Sequence, residues 1–334
     1  MPIDTVRSST RYRPLLIDPA KGRIRITNYK DTEQERDLSE PANCRGFGRI
    51  RHFSRQASEG WVANALPIDP ASRALRLGRV DHLRAQVFQN AGCNWRCWYC
   101  FVPFDLLSAD PDHSDWFTVS EMLDMFLAQE DRPSVIDLSG GEPGLTPEWV
   151  PWMLEELRRR GLDRQYYIWS DDNLSTDYFW THLSPSQQEL VATFPNYGRV
   201  GCFKGIDRDS FAYNTNAAKS SFDKQFEFMR RLIASGVDVY AYVTFTTPTL
   251  HEIHDRVSRF VDLLQGVNVH LPLRTVPLEV RVFTPVEARL NERHHEALQN
   301  QSVVLDAWRQ ELDERFSSEL RAQSIADVPL VTRN

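Results

Sequence analysis

The sequence predicts an α/β fold: a parallel sheet wound through successive strand–helix units, with a β-rich extension before it and a helical extension after it. Three observations carry that prediction. Between about residues 82 and 286, short β-branched or aromatic runs alternate with amphipathic stretches, the order expected of right-handed βα units. Residues 1–80 are instead rich in Pro, Gly and Arg and show little helical periodicity. From 287 to 323 apolar residues return every four positions. A chain of 334 residues can bury a full-sized core, so one main domain over 81–286 is expected, flanked by extensions at 1–80 and 287–334.

Within the first extension, 15–27 reads as a hairpin around Lys21-Gly22. Arg45-Gly46-Phe47-Gly48 reads as a flexible turn, because a phosphate loop would continue into Gly-Lys and a helix. Six strands are predicted, at 83–88, 134–138, 166–169, 199–203, 238–245 and 278–283. Helices are predicted at 119–129, 148–160, 186–193, 222–235 and 250–264. Trp149, Met153, Leu154 and Leu157 form one buried stripe, and Phe222, Phe226, Met229 and Ile233 another. Gly161 and Gly236 follow these helices and supply left-handed caps. Val304, Trp308, Leu312, Phe316 and Leu320 mark one apolar face of a final helix that packs along the barrel.

The net charge of −7 opposes a chain built to coat nucleic acid. No apolar stretch approaches the ~20 residues of a membrane span. The N-terminus lacks the apolar centre of a secretory signal, so a reducing cytoplasm is expected and structural disulfides are not. Of five cysteines, three fall within eight residues, whereas Cys44 and Cys202 stand alone and are read as packed core.

Those three, Cys93, Cys97 and Cys100, follow the first predicted strand directly. Three thiolates can bind three irons of a cubane and leave the fourth iron open to a ligand, where complete cubanes take four cysteines. A zinc site is the competing reading, and it would need a fourth ligand such as His82 or His113. After the second strand comes Ser139-Gly140-Gly141-Glu142-Pro143, whose glycines let backbone approach a ligand closely. Ser170-Asp171-Asp172-Asn173 and Phe203-Lys204-Gly205 end the next two strands on the same edge. Parallel barrels concentrate their working residues at that edge.

The run Cys93-x3-Cys97-x-Tyr99-Cys100 resembles the Cys-x3-Cys-x-aromatic-Cys signature of the radical S-adenosylmethionine (radical SAM) superfamily. Gly140-Gly141-Glu142-Pro143 resembles that superfamily's Gly-Gly-Glu-Pro segment. The resemblance implies a partial (βα)6 barrel, open at one side, and an oxygen-sensitive [4Fe-4S] cluster on Cys93, Cys97 and Cys100. It further implies that S-adenosyl-L-methionine chelates the open iron and yields a 5'-deoxyadenosyl radical that abstracts a substrate hydrogen. Tyr99 would then pack near the adenine, and Gly140–Pro143 would meet the methionine amino group, with Glu142 accepting from it or orienting the loop.

A looser resemblance to activases of glycyl-radical enzymes gives Asp172, Asn173 and Lys204 cosubstrate-binding roles. The fifth strand departs from the superfamily's Gly-x-Ile-x-Gly pattern, so Thr244 and Thr246 stay unassigned, and no catalytic residue is named. The expected partners are a reducing electron donor such as flavodoxin or ferredoxin and a small-molecule or protein substrate, without membrane or nucleic acid. A small-molecule substrate is preferred. A protein glycyl radical, a peptide maturase lacking auxiliary cysteines, and a non-catalytic metal-binding scaffold are the alternatives.

Overall fold

In the computed structural model, which describes residues 1–58 and 60–330, the chain opens with a helix. Helix α1 (Thr5–Leu16) is capped by the Asp4 carboxylate, which accepts from the Arg7 N–H. Strands β1 (Ile17–Asp18), β2 (Arg23–Thr27) and β3 (Arg49–Ser54), helix α2 (Ile68–Leu75) and strand β4 (His82–Gln89) follow. The chain continues through β5 (Ser114–Thr118), α3 (Val119–Leu127), β6 (Val135–Ser139), α4 (Trp149–Arg159) and β7 (Tyr167–Asp172). Next come α5 (Tyr178–His182), α6 (Pro185–Thr193), β8 (Tyr197–Phe203), α7 (Arg208–Thr215), α8 (Ser221–Ala234) and β9 (Val239–Thr244). Helix α9 (Ile253–Val267), β10 (Thr275–Leu278), α10 (Thr284–Glu287), α11 (Glu292–Arg315) and α12 (Ser318–Arg321) complete it.

The main sheet runs β10-β9-β8-β7-β6-β4-β3. Its six strands from β4 to β10 are parallel, and β3 adds an antiparallel seventh on β4. The sheet does not close, giving a half-barrel of the (βα)6 kind. Residues 15–27 pair as the expected hairpin, Ile17 with Ile24, and β5 joins it in a second, three-stranded sheet.

Strand alternation sorts side chains into two layers. Ala85, Val135, Tyr167, Trp169, Val200, Tyr240 and Val276 point into the half-barrel and fill its lower part. Phe88, Ile136, Leu138, Ile168, Phe203 and Val243 point outward and pack beneath the helices. Burial on both faces explains why these strands read as continuous apolar runs. Among the described residues no helix is long and apolar enough to cross a membrane.

Several expectations need correction. Residues 1–80 are not predominantly β, because α1 and α2 occupy much of them. Helix α1 buries Thr5, Ser9, Tyr12 and Leu16, a stripe at spacings of three and four in which hydroxyls replace hydrocarbons, so hydropathy does not reveal it. The sixth strand is Thr275–Leu278 rather than 278–283. Val280 has its N–H and C=O bound by the Gln301 side chain at 2.8 and 3.1 Å, which takes the place of a strand ladder. The final helix ends at Arg315, with Phe316 extended and Leu320 on α12. The turn at 45–48 is tightly packed, since a Cβ on Gly48 would lie 2.4 Å from both Asn43 Oδ1 and Gln86 Nε2.

Candidate functional site

Strand β4 delivers the chain into a loop that folds back on itself, with Cys93 N–H donating to Leu107 O and Ala109 N–H to Ala91 O. Helix α1 lies over that loop. Trp95 is buried and donates from Nε1 to Thr5 Oγ1 at 3.0 Å, and Ser8 Oγ donates to Asn94 O at 3.0 Å. On the other side, the Arg96 and Trp98 N–H groups donate to carbonyls of Thr215 and Asn214 at the end of α7. The three cysteines are thus held by elements far apart in sequence.

Burial pushes all three thiols above the ordinary cysteine value, Cys97 to about 11. Thiols held protonated by burial become thiolates when a metal supplies the opposing charge. Among the described residues no three His, Cys, Asp or Glu side chains converge on a point that could hold one metal ion. A cubane takes each thiolate on a separate iron, whereas zinc gathers its ligands within about 2.3 Å of one centre. The proposed fourth zinc ligands do not help. His82 is exposed at the start of β4, whereas the cysteine loop follows its end, and His113 Nδ1 lies 3.3 Å from Asp110 Oδ2.

The Gly140–Pro143 segment leaves the end of β6 and docks on the start of the cysteine loop. Glu142 N–H donates to Gly92 O at 2.7 Å. Gly141 has φ +54°, and a Cβ there would stand 2.3 Å from Asn90 O and 2.5 Å from Gly92 O. Only glycine allows that approach. The Glu142 carboxylate, 2% exposed, accepts from Gly144 N–H at 2.7 Å and Asn173 N–H at 3.0 Å. Burial and the neighbouring Asp172 hold its pKa well above the carboxylate range. Glu142 therefore ties the β6 and β7 loops together.

Asn173 joins this knot. Its Nδ2 donates to Asn94 Oδ1 at 2.8 Å, inside the cysteine loop, and its carbonyl accepts from Gln225 Nε2 at 2.8 Å. Asn173 Oδ1 is buried and meets no hydrogen-bond partner, a position that a bound donor can satisfy. Asp172 behaves differently: it accepts from Leu174 N–H at 2.6 Å and faces Arg199 Nη1 at 3.4 Å. By strand alternation its neighbour Asp171 turns inward instead.

A cavity of about 480 Å³ lies beside the loop, bordered by Cys97, Tyr99, Cys100, Lys204 and Thr244. The Tyr99 hydroxyl is 3.1 Å from Thr244 Oγ1, which links the cysteine loop to β9. Burial works against the Lys204 ammonium, but the Cys202, Tyr99, Cys97 and Cys100 groups outweigh it and hold its pKa well above the usual lysine value. A larger cavity of about 810 Å³ lies against α2 and residues 321–327 and contains none of the predicted site residues.

Sequence reasoning missed the remaining polar wall. Arg49 and Arg51, two residues apart on one face of β3, and Asp171 line the same cavity. Arg51 Nη1 lies 3.3 Å from Asp137 Oδ2 and 4.0 Å from Asp171 Oδ2, and Ser139 Oγ donates to Asp171. Asp137 is fully buried, and desolvation with Asp171 nearby raises its pKa to about 7 against the pull of Arg51 and Arg49. The signal for it was a single carboxylate in the apolar run Val135-Ile-Asp-Leu.

Residues 90–264, more than half of the chain, match the Radical SAM superfamily. The chain belongs to that superfamily. It is 28% identical over 176 residues to a 7-carboxy-7-deazaguanine synthase of Methanothermobacter thermautotrophicus, a match covering 50% of this chain and 63% of that enzyme. The chain thus spans less than two thirds of that relative's length. Among solved structures, TYW1 with a lysine-pyruvate adduct bound matches 69% of this radical SAM chain and 73% of its own, with 12% identity and a TM-score of 0.44. Streptococcus suis SuiB bound to precursor peptide SuiA matches 54% and 36%, with 12% identity and a TM-score of 0.39.

Proposed function

We propose that this radical SAM enzyme holds a [4Fe-4S] cluster on Cys93, Cys97 and Cys100, binds S-adenosyl-L-methionine beside it, and acts on a small-molecule substrate. The observation that carries the reading is the cavity of about 480 Å³ that meets Cys97 and Cys100 on one side and the polar wall of β3 on the other. Its size falls in the range of small-ligand sites. The product named for the curated relative is likewise a small molecule.

When bound, the cluster and S-adenosyl-L-methionine supply the one-electron chemistry that takes hydrogen from a substrate carbon. The chain's residues bind and position. Glu142 fixes the loops after β6 and β7, Gly141 admits close backbone contact, and Asn173 Oδ1 offers an unmet acceptor to the methionine ammonium. Tyr99 and Lys204 stand at the junction between cosubstrate and cavity. Lys204 keeps its positive charge there and offsets the thiolates. The activase reading loses support because Asp172 is turned to Arg199. Electrons would come from a reduced flavodoxin- or ferredoxin-like partner.

The test is spectroscopic. Anaerobically reconstituted protein should contain iron and sulfide in equal amounts, and S-adenosyl-L-methionine should shift the EPR spectrum of the reduced cluster. About one zinc per chain without sulfide contradicts the proposal.

A further inference from the structure

We infer that Arg49 anchors an anionic group, a carboxylate or phosphate, of the small-molecule substrate in the cavity beside the cysteine loop. The inference rests on the reading of that cavity as the substrate site.

Arg49 is 7% exposed, yet its Nε and Nη2 atoms meet no hydrogen-bond partner. It lines the cavity, and its guanidinium carbon lies 5.5 Å from the Phe101 ring, the residue after Cys100. A buried guanidinium with unmet donors is costly, and such a cost is sustained where a ligand supplies the missing acceptors. Its planar fork matches the two oxygens of a carboxylate or phosphate.

The other cations of the wall are committed. Arg51 faces Asp137 and Asp171, His52 Nε2 lies 2.8 Å from Glu40 Oε1, and Arg281 lies 3.0 Å from Glu279. Lys204 adjoins the thiols. Among the described residues Arg49 has no ion pair, and the groups that feel its charge are the Tyr29 hydroxyl and Asp137. The Tyr29 hydroxyl, buried with no other partner, lies close enough to accept weakly from the Arg49 guanidinium, and one hydroxyl occupies at most one of its five N–H groups. Asp137 has Arg51 as its nearer cation.

The methionine carboxylate of the cosubstrate is the other source of such an anion. Gly140, Gly141, Glu142 and Asn173 do not border this cavity, whereas Arg49 does, from a strand that precedes the matched region 90–264. That placement assigns the anion to the substrate. Tyr99, Phe101 and Phe283 on the same walls favour a flat, aromatic or heteroaromatic body for the molecule that carries it.

Equilibrium dialysis of the reconstituted holoenzyme with labelled benzoate, phenyl phosphate, neutral benzamide and S-adenosyl-L-methionine tests this. At least one of the two anions should bind at millimolar concentration and benzamide should not. Arg49→Gln should weaken anion binding by about tenfold or more, and Arg49→Lys should restore part of it. Binding of S-adenosyl-L-methionine should be unchanged in both. Failure of both anions to bind, equal anion binding by Arg49→Gln, or loss of S-adenosyl-L-methionine binding in that variant overturns the assignment. Should Arg49→Gln fail to fold, Arg49→Lys decides, since its shorter, non-planar cation must still lower anion affinity. The iron and sulfide content of each dialysed protein is measured beside it, so that wild type carrying its cluster but no anion overturns the anchor alone. Failure of the cluster is thereby distinguished from failure of the anchor.

Discussion

Gly141 shows how narrowly the site is specified at the scale of single residues. With φ at +54° and carbonyls of Asn90 and Gly92 pressed against it, Gly141→Ala should separate the two loops and prevent iron incorporation into an otherwise folded chain. Gly161 has φ +69° but open space around its Cβ position, so Gly161→Ala should cost only the left-handed strain of about 1–2 kcal/mol. Iron content and denaturation midpoints of the two variants make the comparison. Full iron incorporation by Gly141→Ala contradicts the docking argument.

Asp137 adds a pH dependence. Folded, it holds its proton to about pH 7, whereas unfolded aspartate releases it near pH ~3.9. The folded state binds more protons between those values, so stability falls as pH rises through that window. Glu142 and Asp172 are raised as well and act in the same sense. Asp137→Asn should remove its share of the slope, read as urea midpoints of the apoprotein across that range. An unchanged slope contradicts the assignment.

At the scale of elements, legibility followed what each strand or helix buries. Strands β4, β6, β7, β8 and β9 and helices α3, α4, α6 and α8 show plain apolar runs or stripes and lie within a few residues of their predicted places, whereas β5, a half-exposed strand, was not predicted. Helix α1 escaped because its buried side carries Thr5 and Ser9, and β10 was misplaced because Val280 and Val282 resemble a strand while Gln301 binds the backbone. Short α5 and α7 offer too few turns for a periodic signal. Helix α11 lies outside the matched region yet places Trp308 against Phe245 and Phe260, at ring separations of 5.8 and 6.2 Å. Trp308→Ala should therefore cost about 3–5 kcal/mol in urea unfolding, as a core residue does. A cost within about 0.5 kcal/mol, the range of ordinary surface substitutions, would show that α11 is peripheral.

Across the whole molecule, the half-barrel brings one edge of six strands to the cysteine loop, and the N-terminal extension, with the segment after β10, walls the cavity beside it. Cysteine and glycine motifs were legible because their chemistry is written in local spacing. Arg49, Asp137 and the inward choice of Asp171 over Asp172 were not, because sheet register and strand phase decide them. Asn94 was hidden inside the cysteine motif itself: it donates to Ser9 and Ser175 and accepts from Asn173, partners set only by the fold.

The central claim is that these three thiols support reductive cleavage of S-adenosyl-L-methionine. Anaerobically reconstituted wild type, given dithionite and S-adenosyl-L-methionine, should release 5'-deoxyadenosine, and Cys97→Ala should release none above background. Equal release by both proteins, or none from wild type carrying its full iron and sulfide, would contradict it.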